Sequence, residues 1–161
     1  MSDLFTGKIY CFDTNVLIDL RRRKYPADIF DTLWKNIEDE VARGAIITPR
    51  EVYRELEKND DELFKWVKNH SVMVQPPGQN QIQKATEILA KFPNLIDPTK
   101  ETPDADPFVI ALAMSQGATV VTSENHANPG ARRPKIPDVC DHFGVKYLNI
   151  LDYFREMKWK H

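Results

Sequence analysis

Short β-rich runs separated by helix-patterned segments place the strongest limit on how this chain can fold. Lys8–Phe12 (KIYCF), Ala45–Ile47, Thr119–Thr122 and Val145–Ile150 are apolar runs bounded by turn or cap signals, and each reads as a buried strand. A minor strand is expected at Val72–Val74, ahead of the Pro76-Pro77-Gly78 break. Pro26 is expected to open a long helix in which Ile29, Leu33, Ile37 and Val41 recur every four residues, with Phe30 and Trp34 alongside and Gly44 as the stop. Thr48-Pro49 reads as an N-cap followed by proline at the first helical position of PREVYRELEK. Further helices are expected over Asp61–Asn69, around Ile82, Ala85, Ile88, Leu89 and Phe92, from Asp106-Pro107 to Gly117, from Pro137 to Gly144, and over Leu151–Trp159. Strands joined through helices call for crossover connections, which bury a parallel sheet on both faces. No repeat or linker divides the 161 residues, so the expectation is a single α/β domain over 1–161.

Composition narrows the setting. A net charge of −2 excludes nucleic-acid binding by bulk electrostatics and leaves local basic patches or bound cations. Two cysteines, Cys11 and Cys140, lie in apolar runs and suit buried positions in a reducing compartment. The start MSDLFTGKIY carries no leader pattern, and no apolar run approaches the roughly 18 residues of a membrane span. A cytoplasmic protein without membrane contact is expected.

Acidic residues gather where such a fold does chemistry. In open α/β folds the functional crevice lies beyond the carboxyl ends of the strands. Asp13 directly follows the first strand, Glu124 follows the third, Asp106 opens the apolar helix FVIALAMSQ, and Glu51 and Glu55 lie on the helix after the second strand. Taken singly, Asp13 can cap the turn at Thr14-Asn15, Asp106 before Pro107 can be an N-cap, and Glu55 can be a solvated helix residue. Together they crowd like charges on one rim, which is costly without a cation. Hard divalent ions such as Mg²⁺ or Mn²⁺ favour such all-oxygen sets, and the chemistry indicated is hydrolysis at a phosphate.

The ordered strings FDTNVLIDL (12–20), ITPREVYREL (47–56), ADPFVIALA (105–113) and VVTSEN (120–125) resemble the PIN domain, which includes the VapC-type toxins of prokaryotic toxin–antitoxin pairs. The block KIPDVCDHFGVKYLNILDYF resembles a PIN-like branch of small, mostly uncharacterised prokaryotic proteins. This resemblance implies a three-layer α/β/α sandwich with a central, mainly parallel sheet of four to five strands. It also implies an Mg²⁺- or Mn²⁺-dependent endoribonuclease whose water attacks an RNA phosphodiester in line and leaves a 5′-phosphate. Asp13, Glu55, Asp106 and Glu124 match the family acids as catalytic residues and metal ligands, with Asp104 close enough to assist Asp106. Glu124 stands where Asp is more usual, and its extra methylene favours contact through water. Thr14, Asn15 and Ser123 would position the phosphate or hydrogen-bond the carboxylates. An antitoxin partner and a homodimer are implied by the family.

Two basic patches, Arg21-Arg22-Arg23-Lys24 and Arg132-Arg133-Lys135, are either solvated loops or phosphate contacts flanking the acids, the latter with steep salt dependence. His70, His126, His142 and His161 show no zinc-ligand spacing with the cysteines. Two other functions fit parts of the pattern: a PIN-like scaffold without activity, and a phosphatase of the haloacid dehalogenase type. The latter wants a second Asp at position 15, where Asn stands.

Overall fold

The structure is a computed structural model that describes residues 7–100 and 104–160. The amino-terminal residues 1–6, residues 101–103 of the acid- and proline-rich loop, and His161 of the terminal stretch lie outside the described residues. Five strands form one sheet: β1 (Tyr10–Phe12), β2 (Ile46–Pro49), β3 (Val74–Gln75), β4 (Thr119–Val121) and β5 (Tyr147–Leu148). Their order is β3-β2-β1-β4-β5 and every pairing is parallel, with Tyr10 opposite both Ile46 and Thr119. The chain builds outward from β1 through β2 to β3, then returns to the other side of β1 for β4 and β5. The order therefore reverses between β1 and β4, and the crevice beyond their carboxyl ends is the switch point of the fold.

Alternation along β1 shows why both faces are covered. Tyr10 and Phe12 point one way, their rings meeting Tyr153 of α8 (Ile150–Met157) edge-on at 4.8 and 5.2 Å between centroids. Cys11 points the other way, its thiol 3.6 Å from the Val109 carbonyl of α6 (Asp106–Gln116). All three residues of β1 are buried, as a strand with a helical layer on each face requires. This is the expected three-layer α/β/α sandwich. Both cysteines are buried and free, and α6 ends at Gly117, whose φ of 64° supplies the left-handed turn.

Several local expectations are corrected. The Pro26 carbonyl accepts from Ile29 and Phe30 N–H and closes a turn, so α2 (Asp31–Ala42) starts five residues later than expected and Ile29 is 69% exposed. Leu33, Trp34, Ile37 and Val41 form the buried stripe. Residues Asp19–Lys24 continue α1 (Thr14–Ile18) as a π-helical turn, which the apolar pattern did not indicate. Thr48 belongs to β2 and donates its hydroxyl to the Phe12 carbonyl at 2.9 Å, so it does not cap α3 (Arg50–Glu57). On α5 (Gln79–Lys91) the buried face is Gln81, Ala85 and Ile88, leaving Ile82 54% exposed. The last strand stops at Leu148 because Asn149 accepts from Asp152 N–H at 2.8 Å and starts α8 early. Two helices complete the layers, α4 (Glu62–Asn69), capped by Asp61, and α7 (Ile136–Phe143).

Candidate active site

The carboxyl ends of β1 and β4 bring Asp13 and Thr122 together. Asp13 is 1% exposed; its Oδ1 accepts from Val16 N–H at 2.7 Å and its Oδ2 from the Thr122 hydroxyl at 2.5 Å. One oxygen thus caps α1, while the other is fixed from the neighbouring strand. The same Thr122 oxygen accepts from Glu124 N–H at 3.1 Å, so the residue after β4 orients two acids at once. Burial, then the charges of Glu124 and Glu55, push the Asp13 carboxyl up to about 7 against its two hydrogen bonds.

Asp106 is the second strongly perturbed acid. It is not the N-cap of α6: Ala105 holds that position, its carbonyl accepting from Phe108 and Val109 N–H. Among the described residues no protein donor bonds the Asp106 carboxylate. Burial, followed by Glu124, Asp13, Glu55 and Asp104, pushes it up to about 8. Glu55, in the second turn of α3, accepts from the Thr14 hydroxyl and from Ala105 N–H, the latter at 3.3 Å. It is therefore held in the site and not a solvated helix residue. Glu124 accepts from Asn15 Nδ2 at 3.4 Å and from Ile136 N–H at 3.0 Å, the first residue of α7.

Thr14, Asn15, Glu55, Asp106 and Glu124 line a cleft of about 520 Å³, with Asp13 buried and outside its wall. Asp104 also lines it but faces cations: Lys100 Nζ at 2.5 Å and Arg133 at 3.5 Å, with Asp97 N–H at 3.0 Å. Burial alone would raise its carboxyl, yet Lys100, that N–H and Arg133 hold it below the usual carboxylate range. Lys58 and Lys135 also line the cleft. Ser123 is exposed and is not in the lining, and Arg132 lines neighbouring hollows while Arg133 enters the cleft. Glu51 pairs with Arg50 at 3.9 Å and also stands apart.

The first basic patch is spent locally. Arg21 pairs with Glu62 at 2.7 Å and sits over the rings of Trp34 and Trp66 at 4.5 and 5.3 Å, Arg22 pairs with Asp61, and Arg23 pairs with Asp19 at 3.0 Å. Sequence reasoning missed Thr122, Lys58 and Lys100 as members of the site. Only Lys100 had a local signal, its four-residue spacing to Asp104.

The donor set is oxygen only, two of its acids are raised by burial and then by neighbouring charges, and Asp106 has no donor among the described residues. That chemistry fits a hard divalent cation. Among the described residues no three His, Cys, Asp or Glu side chains are already gathered as an ion-holding group. Asn15 is committed as a donor to Glu124, an arrangement unlike the acid a phosphatase of the haloacid dehalogenase type would need there.

The model of the family described as "Domain of unknown function (DUF4411)" matches residues 10–161. No curated protein matches the chain. Among solved structures, a chain of VapBC2 from Rickettsia felis, bound to a DNA fragment from their promoter, aligns at 14% identity and a TM-score of 0.51, covering 88% of this chain and 98% of that one. A chain of FitAB bound to an IR36 DNA fragment aligns at 16% identity and a TM-score of 0.53, covering 88% and 94%. At these identities the likeness shows the fold, which is that of the PIN domain.

Proposed function

Because the chain belongs to the DUF4411 family and folds as a PIN domain, we propose that it is a divalent-metal-dependent endoribonuclease, the toxin of a prokaryotic toxin–antitoxin pair. The observation that carries this reading is the pair Asp13 and Asp106, raised to about 7 and about 8 by burial and by neighbouring acids at the switch point of the sheet. A protein seldom keeps such a cluster for stability, since ionising it opposes folding.

Asp13, Asp106 and Glu55 would hold Mg²⁺ or Mn²⁺, with Glu124 joining through water. The ion, when bound, supplies a water of lowered pKa and neutralises charge developing on the phosphate. The chain's own residues supply the rest. Thr122 and Val16 N–H fix the Asp13 carboxylate, and Thr14 fixes Glu55. Asn15 orients Glu124, and Arg133 offers the phosphate a cation. Solved structures of similar fold are complexes named VapBC2 and FitAB, which supports a protein partner acting as antitoxin. A homodimer and a cytoplasmic setting belong to the same reading; among the described residues no helix is long and apolar enough to cross a membrane.

The test is cleavage of a labelled structured RNA with Mg²⁺ or Mn²⁺, against EDTA and against Asp13→Asn. Metal-dependent cutting lost in the variant supports the nuclease. Neither cutting nor metal-induced thermal stabilisation would leave a scaffold with the same fold as the better reading.

A further inference from the structure

The cleft carries cations as well as acids: Lys58, Lys100, Arg133 and Lys135 line it together with Glu55, Asp104, Asp106 and Glu124. Lys100 comes from the loop after α5, and Arg133 from the loop between β4 and α7. Both converge on Asp104, whose side chain is 11% exposed, while their own are 53% and 51% exposed. Arg133 is also pinned from behind, its Nε donating to the Asn94 carbonyl at 3.2 Å and its terminal nitrogen to the Leu95 carbonyl at 3.4 Å. Half-exposed ion pairs add little to stability. Two cations on one carboxylate leave that ion cluster with one net positive charge, and Lys58 and Lys135 line the same cleft.

We propose that Lys100 and Arg133, held in place by Asp104, form a phosphate subsite that takes a backbone phosphate of a single RNA strand lying across the cleft carboxylates. The assignment rests on the nuclease reading for the identity of the strand, while the anion subsite itself rests on the geometry. A guanidinium and an ammonium already held at one point spend little conformational entropy when a phosphate oxygen replaces water there. The cleft volume of about 520 Å³ is that of a small-ligand pocket, enough for a nucleotide or two and not for a duplex. In this arrangement Asp104 is a positioning residue for the two cations; its oxygens already serve Lys100, Arg133 and Asp97 N–H.

The experiment is equilibrium binding of a fluorescent 12-nucleotide oligouridylate to the full chain in EDTA, where metal-dependent cutting is silent, over a salt series. Lys100→Gln and Arg133→Gln are each expected to bind about tenfold more weakly at low salt, the loss of one charge-assisted hydrogen bond. Each should also lower the slope of log affinity against log salt by about 0.7, one phosphate contact on a single strand. Asp104→Asn keeps both cations, so it should weaken binding while leaving the slope unchanged, which separates positioning from charge and from a structural role. Lys146→Gln, at the opposite end of the sheet, is the control and should bind as the parent does. A thermal melt on each variant checks folding. The subsite is overturned if folded Lys100→Gln and Arg133→Gln bind with parental affinity and slope, if the parent does not bind the oligonucleotide, or if duplex RNA competes as well as single-stranded RNA. Binding as described with no metal-dependent cleavage would keep the subsite and sink the nuclease; cleavage with unaffected binding would do the reverse.

Discussion

Replacing Asp106 by Asn should make the metal-free protein more stable at pH 8 and at the same time abolish cleavage. The Asp106 carboxyl rises from 3.8 to about 8, with burial the largest cause and Glu124, Asp13 and Glu55 next. An acid whose folded value lies above its unfolded value binds its proton more tightly in the native state. Its contribution to stability is present below about pH 4 and is lost as pH climbs towards 8. At about 1.36 kcal/mol per pH unit, the whole shift corresponds to roughly 6 kcal/mol. Asp106 is only partly buried, so solvent screens the charges of Glu124, Asp13 and Glu55 that act on it; about 1–3 kcal/mol is the measurable share. No protein donor is lost in the change, since none among the described residues bonds this carboxylate. For a chain of this size that gain corresponds to a rise in Tm of about 2–10 °C in EDTA at pH 8, with little difference at pH 4. Mg²⁺ at a hundred times its Kd should add about 2.7 kcal/mol to the parent, and far less to the variant. Calorimetric melts of both proteins at pH 4 and pH 8, with EDTA or Mg²⁺, read all of these. A variant no more stable than the parent at pH 8, or one whose advantage is the same at both pH values, would refute the crowding of these acids.

Thr122→Val removes the donor that fixes the buried Asp13 Oδ2, so it should cost about 1–3 kcal/mol in urea melts and lower kcat more than KM in RNA cleavage. Arg21→Ala strips a side chain that is 11% exposed from over the Trp34 and Trp66 rings and from Glu62; we expect a loss of about 1–2 kcal/mol by chemical denaturation with cleavage per folded molecule unchanged. Ile29→Ser changes a residue outside the buried stripe of α2 and should shift stability by less than about 0.5 kcal/mol, whereas a residue on that stripe would cost several times more.

What could be read from the sequence was what local chemistry decides. Asp13, Asp106 and Glu124 announce themselves because each follows or precedes an apolar run whose end is marked, and the sheet gathers those ends on one rim. Thr122 carries no such mark: a β-branched residue ending a strand is what strand propensity alone would place there. Its partnership with Asp13 arises only from the register that sets Phe12 opposite Val121. The burial of Gln81 in place of Ile82 is likewise decided by the packing of α5 on α6, which a single-helix pattern cannot rank. Arg133 and Lys100 are 33 positions apart, and nothing local relates them.

Glu124 shows how the two kinds of information combine. From sequence its extra methylene is only a departure from the usual Asp, indicating indirect contact with an ion. In the fold that length has its own use. One oxygen reaches Ile136 N–H at the start of α7 and the other Asn15 on the rim of α1, so a single side chain ties the loop that carries Arg133 to the acidic wall. A shorter acid, keeping its place after β4, would give up one of those two bonds. The residue that departs from the PIN-domain pattern the sequence resembles is therefore the one that ties Asn15 to the start of α7 across the cleft.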